Sequence, residues 1–120
     1  MKQIIIIGGG AAGFFCASNL DEKKYTITIL EQNSDVLQKV KISGGGRCNV
    51  THDVVTPDDF FGTRHLVRNV LAAFPVQDTV AWFASMGVEL KREETGKLFP
   101  VTDKARTVLD ALMARSRELG

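Results

Sequence analysis

The chain opens on an unbroken apolar run, Ile4 to Ile7, closed by Gly8-Gly9-Gly10. Its apolar residues do not alternate. Gln3–Ile7 is therefore expected to be a strand buried on both faces, as in a parallel sheet. Ala11 to Leu20 is rich in good helix formers and predicts a helix. Asp21-Glu22-Lys23-Lys24 is a polar connection, and Tyr25 to Leu30 is a second strand crowded with β-branched residues. Strand, helix and strand fit within about thirty residues, the length of a βαβ unit, whose crossover is right-handed.

From Gln32 to Gly62 no period is visible, and the stretch contains Gly44-Gly45-Gly46, Pro57 and Gly62. This predicts a long irregular connection, of the kind that is usually functional or mobile. Helical spacing returns with Leu66, Val67, Val70, Leu71 and Phe74, ended by Pro75. Val76, Val80, Phe83 and Ala84 mark another helix, closed by Gly87. Val88–Arg92 and Lys97–Phe99 predict two strands around a hairpin tip at Glu93-Glu94-Thr95-Gly96. A last helix is expected from an N-cap at Thr102 or Asp103, with Ala105, Val108, Leu109, Leu112 and Leu119 on or near one face and Gly120 as its C′ residue. In a doubly wound sheet another parallel strand follows such a helix, so the sequence is expected to be an N-terminal piece of a longer protein. The fold class these elements predict is α/β: a Rossmann-like domain that starts with βαβ and a parallel sheet and is incomplete at its C-terminal end.

A length of 120 residues predicts one core and no second lobe. Hydrophobic residues are 44% and charged residues 24%, which excludes the disordered, collagen-like and disulfide-scaffold classes. With 15 Lys+Arg against 14 Asp+Glu, the formal net charge is +1. That balance argues against a dedicated nucleic-acid binder or a polybasic membrane surface. Cys16 and Cys48 are too few for a disulfide framework or a four-cysteine zinc site, and His52 and His65 add no metal-ligand spacing. The first apolar run is too short for a secretory leader, and no run reaches the ~20 residues of a membrane span. The expected setting is soluble, reduced and cytoplasmic.

Chemistry enters at Gly8-Gly9-Gly10-Ala11-Ala12-Gly13, a G-x-G-x-x-G pattern. Composition alone makes it weak, but it directly follows a strand, opens a helix, and is followed at about the expected distance by Glu31. Gly8 allows the tight turn, a Cβ at Gly10 would hold a pyrophosphate off the backbone, and Gly13 lets the helix approach the strands. The first helical amides carry a partial positive charge and receive the diphosphate. Glu31, with Gln32 beside it, can accept hydrogen bonds from a ribose diol and would repel a 2′-phosphate, which favours FAD or NAD over NADP. The competing reading is a glycine-rich turn without ligand and a surface Glu31.

Lys41-Ile42-Ser43-Gly44-Gly45-Gly46-Arg47-Cys48-Asn49 is the second unusual segment. Three glycines let backbone pass close to a flat or anionic ligand, between the cations Lys41 and Arg47 and the neutral donors and acceptors Ser43 and Asn49. This suits a second clamp on a phosphate-linked cofactor; the competing reading is a flexible linker.

Together, "IIIIGGGAAG", "KISGGGRCNVT" and "GKLFPVTDKARTVLDAL" resemble the N-terminal region of the HI0933-like flavoproteins, bacterial FAD-dependent oxidoreductases. The resemblance runs over essentially all 120 residues. It implies that Gly8, Gly10, Ala11, Ala12 and Gly13 hold the FAD diphosphate and Glu31 the adenosine ribose. It further implies that Lys41, Ser43, Gly45, Gly46, Arg47 and Asn49 line the flavin side. His52 stands where many relatives have Asn. Family members are longer, with a further strand, an inserted substrate domain and a C-terminal segment that completes the flavin site.

The chain is thus expected to be the FAD-binding part of a flavin-dependent oxidoreductase. Its flavin N5 would exchange hydride with a small-molecule substrate, with NAD(P)H as a possible electron donor and no nucleic-acid or membrane partner. Lys41 or Arg47 would stabilise the reduced anionic flavin, and no catalytic residue is assigned. The alternatives are an NAD-dependent dehydrogenase fragment, which leaves the GGGRCN loop unexplained, and a non-catalytic dinucleotide-binding module. A tRNA-methylating type of flavoenzyme is disfavoured by the near-neutral charge. Cys48 admits a thiol–flavin role or a small packed side chain; Cys16 is expected in the core; His52 and His65 are expected in solvent. Phe99 to Lys104 admits a flavin contact or a plain helix start.

Overall fold

The computed structural model describes residues 1–118. Both β-branched runs form strands: β1 (Lys2–Ile7) pairs in parallel with β2 (Tyr25–Leu30), from Lys2 opposite Tyr25 to Ile7 opposite Leu30. Between them lies α1 (Ala11–Ser18). This helix stops short of Leu20 because the Asn19 side chain donates to the Phe15 carbonyl at 2.7 Å and turns the chain. Ser18 is buried inside the same helix because its hydroxyl donates back to the Phe14 carbonyl. The next elements are α2 (Gln38–Gly46), β3 (Thr51–His52), a 3₁₀ turn (Pro57–Asp59), α3 (Arg64–Ala73), α4 (Val76–Ser85), β4 (Leu90–Arg92), β5 (Lys97–Pro100) and α5 (Ala105–Glu118). Leu119 and Gly120, for which a core position and a C′ role are expected, lie outside the described residues. Among the described residues no helix is long and apolar enough to cross a membrane.

Instead of one core, the chain makes two compact units. The first joins Met1–Cys48 to the segment from Lys104 onward, so α5 returns to α1 and α2. Its buried residues include Phe14, Ala17 and Ser18 on α1, Leu37, Cys48, and the i, i+3, i+4, i+7 set Ala105, Val108, Leu109 and Leu112 on α5. Burying each of the leucines stabilises by roughly 1.5–3 kcal/mol. The strands are covered on one face only. Ile27 and Ile29 share a cavity wall with Phe14 and Met113, whereas Ile5, Ile7 and Leu30 are 61%, 87% and 51% exposed. The run that predicts two buried faces therefore buries one, because no described element lies over the other.

The second unit, Asn49–Asp103, carries an antiparallel sheet in the order β3-β5-β4. Its hairpin closes where expected, with Glu93 N–H donating to Lys97 O and Gly96 N–H to Glu93 O. The ring of His52 explains why this turn needs Gly96: a Cβ there would stand 2.5 Å from His52 Cε1. His52 lies in a strand and not in a loop, with its side chain 42% exposed. It sits in β3 with Nε2 2.8 Å from Thr95 O and Nδ1 3.0 Å from Asp53 Oδ1, and Asp53 is held by Arg92. α3 ends at Pro75, and α4 ends at Gly87 in a Schellman turn, with Val88 N–H to Phe83 O and Gly87 N–H to Ala84 O.

Two further expectations change. The stretch Gln32–Gly62 is not uniformly irregular; it holds α2, β3 and the 3₁₀ turn. It looks irregular because Ser43, Gly44 and Gly45 leave helical geometry inside α2, so few helical residues precede the break. The cap of α5 is neither Thr102 nor Asp103. Thr107 N–H donates to Lys104 O, which places Lys104 at the cap, and Asp103 takes a left-handed φ of 58°.

Gly8 N–H extends the parallel ladder to Leu30 O at 2.7 Å, and Gly13 then brings α1 down on the end of β1. A Cβ on Gly13 would lie 2.1 Å from Gly8 O. Helix propensity alone favours Gly13→Ala by about 1 kcal/mol. Overpacking against backbone costs about 1–3 kcal/mol or more and decides the sign. Gly13→Ala should therefore lower the urea midpoint; an unchanged or raised midpoint would contradict this packing.

Candidate functional site

Gly10 is the N-cap residue of α1, extended at φ −92° and ψ −169°, with no side chain capping the helix. The first bond of the helix runs from Phe14 N–H to Gly10 O, so the amides of Ala11, Ala12 and Gly13 precede the ladder. A Cβ on Gly10 would meet nothing within 4 Å. Beside it opens a cavity of about 360 Å³ lined by Gly9, Gly10, Ala11, Glu31, Asn33 and Asp35, and by Leu37, Gln38, Lys39 and Val40 at the start of α2. A second cavity of similar size, walled by Phe14, Ala17, Ile27, Ile29, Val36 and Met113 together with Ser116 and Arg117, shares no residue with it.

Of the residues singled out in the sequence, Gly10, Ala11 and Glu31 line the polar cavity. Gly8, Ala12 and Gly13 shape the turn behind it, and Gln32 follows Glu31 without lining it. Glu31 Oε1 accepts from Gly9 N–H at 3.0 Å and Oε2 from Asn33 N–H at 2.9 Å. These amides, Asn33 first and Gly9 next, hold the carboxyl below the usual glutamate range.

Gly9 occupies the variable position of the fingerprint, so pattern reasoning passes over it. Here a Cβ on Gly9 would meet Val36 Cγ1 at 2.9 Å and Glu31 Cβ at 3.2 Å. Leu37 was missed as well. It is 1% exposed, takes a left-handed φ of 57°, and donates its N–H to Gly9 O at 2.7 Å. The signal was faint: an isolated leucine in an aperiodic stretch, followed by Gln38 and Lys39.

The segment Lys41–Asn49 does not line this cavity. It begins where the lining ends, since Ser43 Oγ donates to Val40 O at 2.9 Å. Gly44, Gly45 and Gly46 take φ values of 57°, 68° and 89°, and added Cβ atoms at Gly45 and Gly46 would face open space. Cys48 N–H returns to Ser43 O at 3.0 Å and closes the bend. Cys48 is itself left-handed and buried; burial pushes its thiol up, against a smaller lowering by the Ser43 hydrogen bond. This is the packed side chain beside a tight loop. Lys41 is exposed and Arg47 half-buried, while Asn49 belongs to the second unit. Cys16, expected in the core, is exposed on α1 because the covered face is taken by Gly13, Phe14, Ala17 and Ser18. His65 is exposed on α3. Among the described residues no three His, Cys, Asp or Glu side chains gather as a metal site.

Charge divides with the fold. Of the 15 Lys+Arg and 14 Asp+Glu, ten and six fall in the unit that carries the loop, and five and eight in the other. The near-neutral total divides into a basic and an acidic unit, while the cavity itself is lined by Glu31 and Asp35 with Lys39 as its cation.

A parallel βαβ unit with a glycine turn at the mouth of its helix defines a Rossmann-type α/β domain. The chain belongs to the HI0933-like protein Rossmann domain family, which it matches over residues 2–120. It is similar to a ribosomal RNA dihydrouridine synthase of Haemophilus influenzae, 32% identical over 120 residues, covering 99% of this chain and 30% of that protein. It is also similar to a 3-dehydro-bile acid delta(4,6)-reductase of Clostridium scindens, 35% identical over 115 residues, covering 93% and 28%. A ribosomal RNA dihydrouridine synthase of Escherichia coli is 31% identical over 110 residues, covering 91% and 27%. The chain thus spans less than a third of these relatives. Among solved structures, Thermovibrio ammonificans THI4 shares the fold with a TM-score of 0.56 at 17% identity, over 99% of this chain and 36% of that one.

Two outcomes check the site. A thiol reagent should modify Cys16 in the folded chain and reach Cys48 only on unfolding; equal rates would contradict the burial of Cys48. Because the Glu31 carboxyl is lowered, its support of the loop is complete above the usual glutamate range and is lost as pH falls through its lowered value. The Gly9 and Asn33 amide resonances should titrate together below that range, and a midpoint at the usual glutamate value would contradict the pairing.

Proposed function

We propose that this chain is the FAD-holding part of a flavin-dependent oxidoreductase. The carrying observation is the cradle at Gly10. Gly10, whose Cβ would meet no protein atom, is the N-cap of α1 and lines the cavity beside its first amides. The family membership and the two kinds of reductive relative support this reading.

The residues present fit a dinucleotide diphosphate. Gly8 turns the chain, Gly13 seats α1, and the amides of Ala11 and Ala12 receive the anion. Glu31 and Gln32 stand at the adenosine end. Lys41, Ser43, Gly45, Gly46 and Arg47 would take the flavin side, where the open faces of the two glycines leave room for a ring and the two cations favour an anionic reduced state. When bound, the flavin supplies hydride transfer at N5. The relatives' names, a dihydrouridine synthase and a delta(4,6)-reductase, point to reduction of a carbon–carbon double bond in a ring, and we take that as the reaction class of the whole protein, with NAD(P)H as electron donor. A small molecule is the first reading of the substrate. Ribosomal RNA is the second, favoured by two of the relatives' names and disfavoured by the acidic balance of residues 49–103.

Gly10→Val tests the proposal, because extended backbone admits a side chain and a Cβ there would meet no protein atom within 4 Å. The purified chain should take up FAD and show its absorbance. Gly10→Val should lose at least about 90% of that uptake, the tenfold effect of about 1.4 kcal/mol, while the chain stays folded. Full retention of FAD by Gly10→Val, or binding of NADH and not FAD by the parent chain, would overturn the proposal.

A further inference from the structure

The carboxylate that follows β2 turns back onto the loop that follows β1. Glu31 Oε1 takes the Gly9 N–H at 3.0 Å, while the Gly9 carbonyl takes the Leu37 N–H at 2.7 Å. Val36 and Glu31 close the side where a Cβ would stand. Gly9 is held through its amide, its carbonyl and its α-carbon, and the next residue is Gly10, whose own Cβ position is open. The peptide plane entering Gly10 is therefore set from the Glu31 side.

We propose that Glu31 is a positioning residue for the anion-binding loop. It acts on a bound diphosphate through Gly9, in addition to any hydrogen bond it makes to a ribose. This rests on the cofactor reading above. The chemistry permits both tasks: an ionised carboxylate has about four acceptor positions, and Gly9 and Asn33 use one on each oxygen. The loop task dominates because it is already made by two bonds to the ionised carboxylate, at 3.0 and 2.9 Å, while the carboxylate's own charge opposes an anion nearby. Removing the carboxylate leaves the Gly9 N–H without its acceptor and frees the plane that aims the following amides.

The test measures affinity of the full chain and of Glu31→Ala and Glu31→Gln for ADP and for 2′,3′-dideoxy-ADP, which lacks the diol. Loss of a hydrogen bond to a charged group corresponds to about tenfold or more. Glu31→Ala should weaken both ligands by the same factor of about ten. Glu31→Gln, which keeps an acceptor for Gly9, should recover most of the loss for both, and it serves alone if the alanine variant fails to fold. In the ligand-free Glu31→Gln chain the Gly9 amide resonance should shift upfield. A loss confined to ADP, or an unmoved Gly9 resonance, overturns the inference and leaves the cofactor reading standing. A parent chain that binds neither ADP nor FAD overturns the cofactor reading, and this inference with it.

Discussion

The approach of α1 to the end of β1 is the constraint on which the site depends. Gly13 lies so close to the Gly8 carbonyl that no side chain fits between them. That contact fixes where α1 begins, so its first amides open beside Gly10. A helix start is a common feature; what makes this one a candidate site is that the backbone around it is immobilised. Gly8 continues the sheet ladder, Gly9 is fastened by Glu31 and Leu37, and Gly10 turns an empty face outward at the mouth of α1.

Strain gathers at the ends of α2. Leu37 precedes it and Cys48 follows it, both left-handed without being glycine, and each buried. Such a residue costs of order 1–2 kcal/mol. At Leu37 that cost is offset by burial of the side chain and by the bond to Gly9; at Cys48 by burial and by the bond to Ser43. The segment between the two is thereby tied at one end to the glycine turn after β1 and at the other to its own glycine bend. A flexible linker would carry neither anchor.

The second unit is organised by a different device. His52 bridges β3 to the hairpin at Thr95, and Arg92 pairs with the Asp53 carboxylate, whose pKa it lowers. The charged cluster at the mouth of this hairpin is accounted for by the register of three short strands. Gly96 lies under the imidazole ring for the same reason that Gly13 lies under a carbonyl: another group already occupies the space.

Much of this was legible along the chain. The βαβ start, the paired helices broken at Pro75 and Gly87, the hairpin at Gly96 and the first glycine motif all depend on local signals: β-branched runs, period 3.6, and residues that tolerate turns. Glu31 could be singled out by its distance from the motif. What one dimension could not show was which groups meet. Only the fold turns the Glu31 carboxylate onto Gly9 and brings Leu37 to the loop. Only the fold returns α5 to α1 across an intervening unit and leaves Ile5 and Ile7 uncovered. Cys16 is exposed for the same reason, since residue type sets a tendency to be buried while the neighbours decide it. Local backbone follows from the order of residues, because φ and ψ preferences act within a few positions; which groups touch follows from the folded chain, because steric exclusion and hydrogen bonding act between residues that the chain keeps far apart.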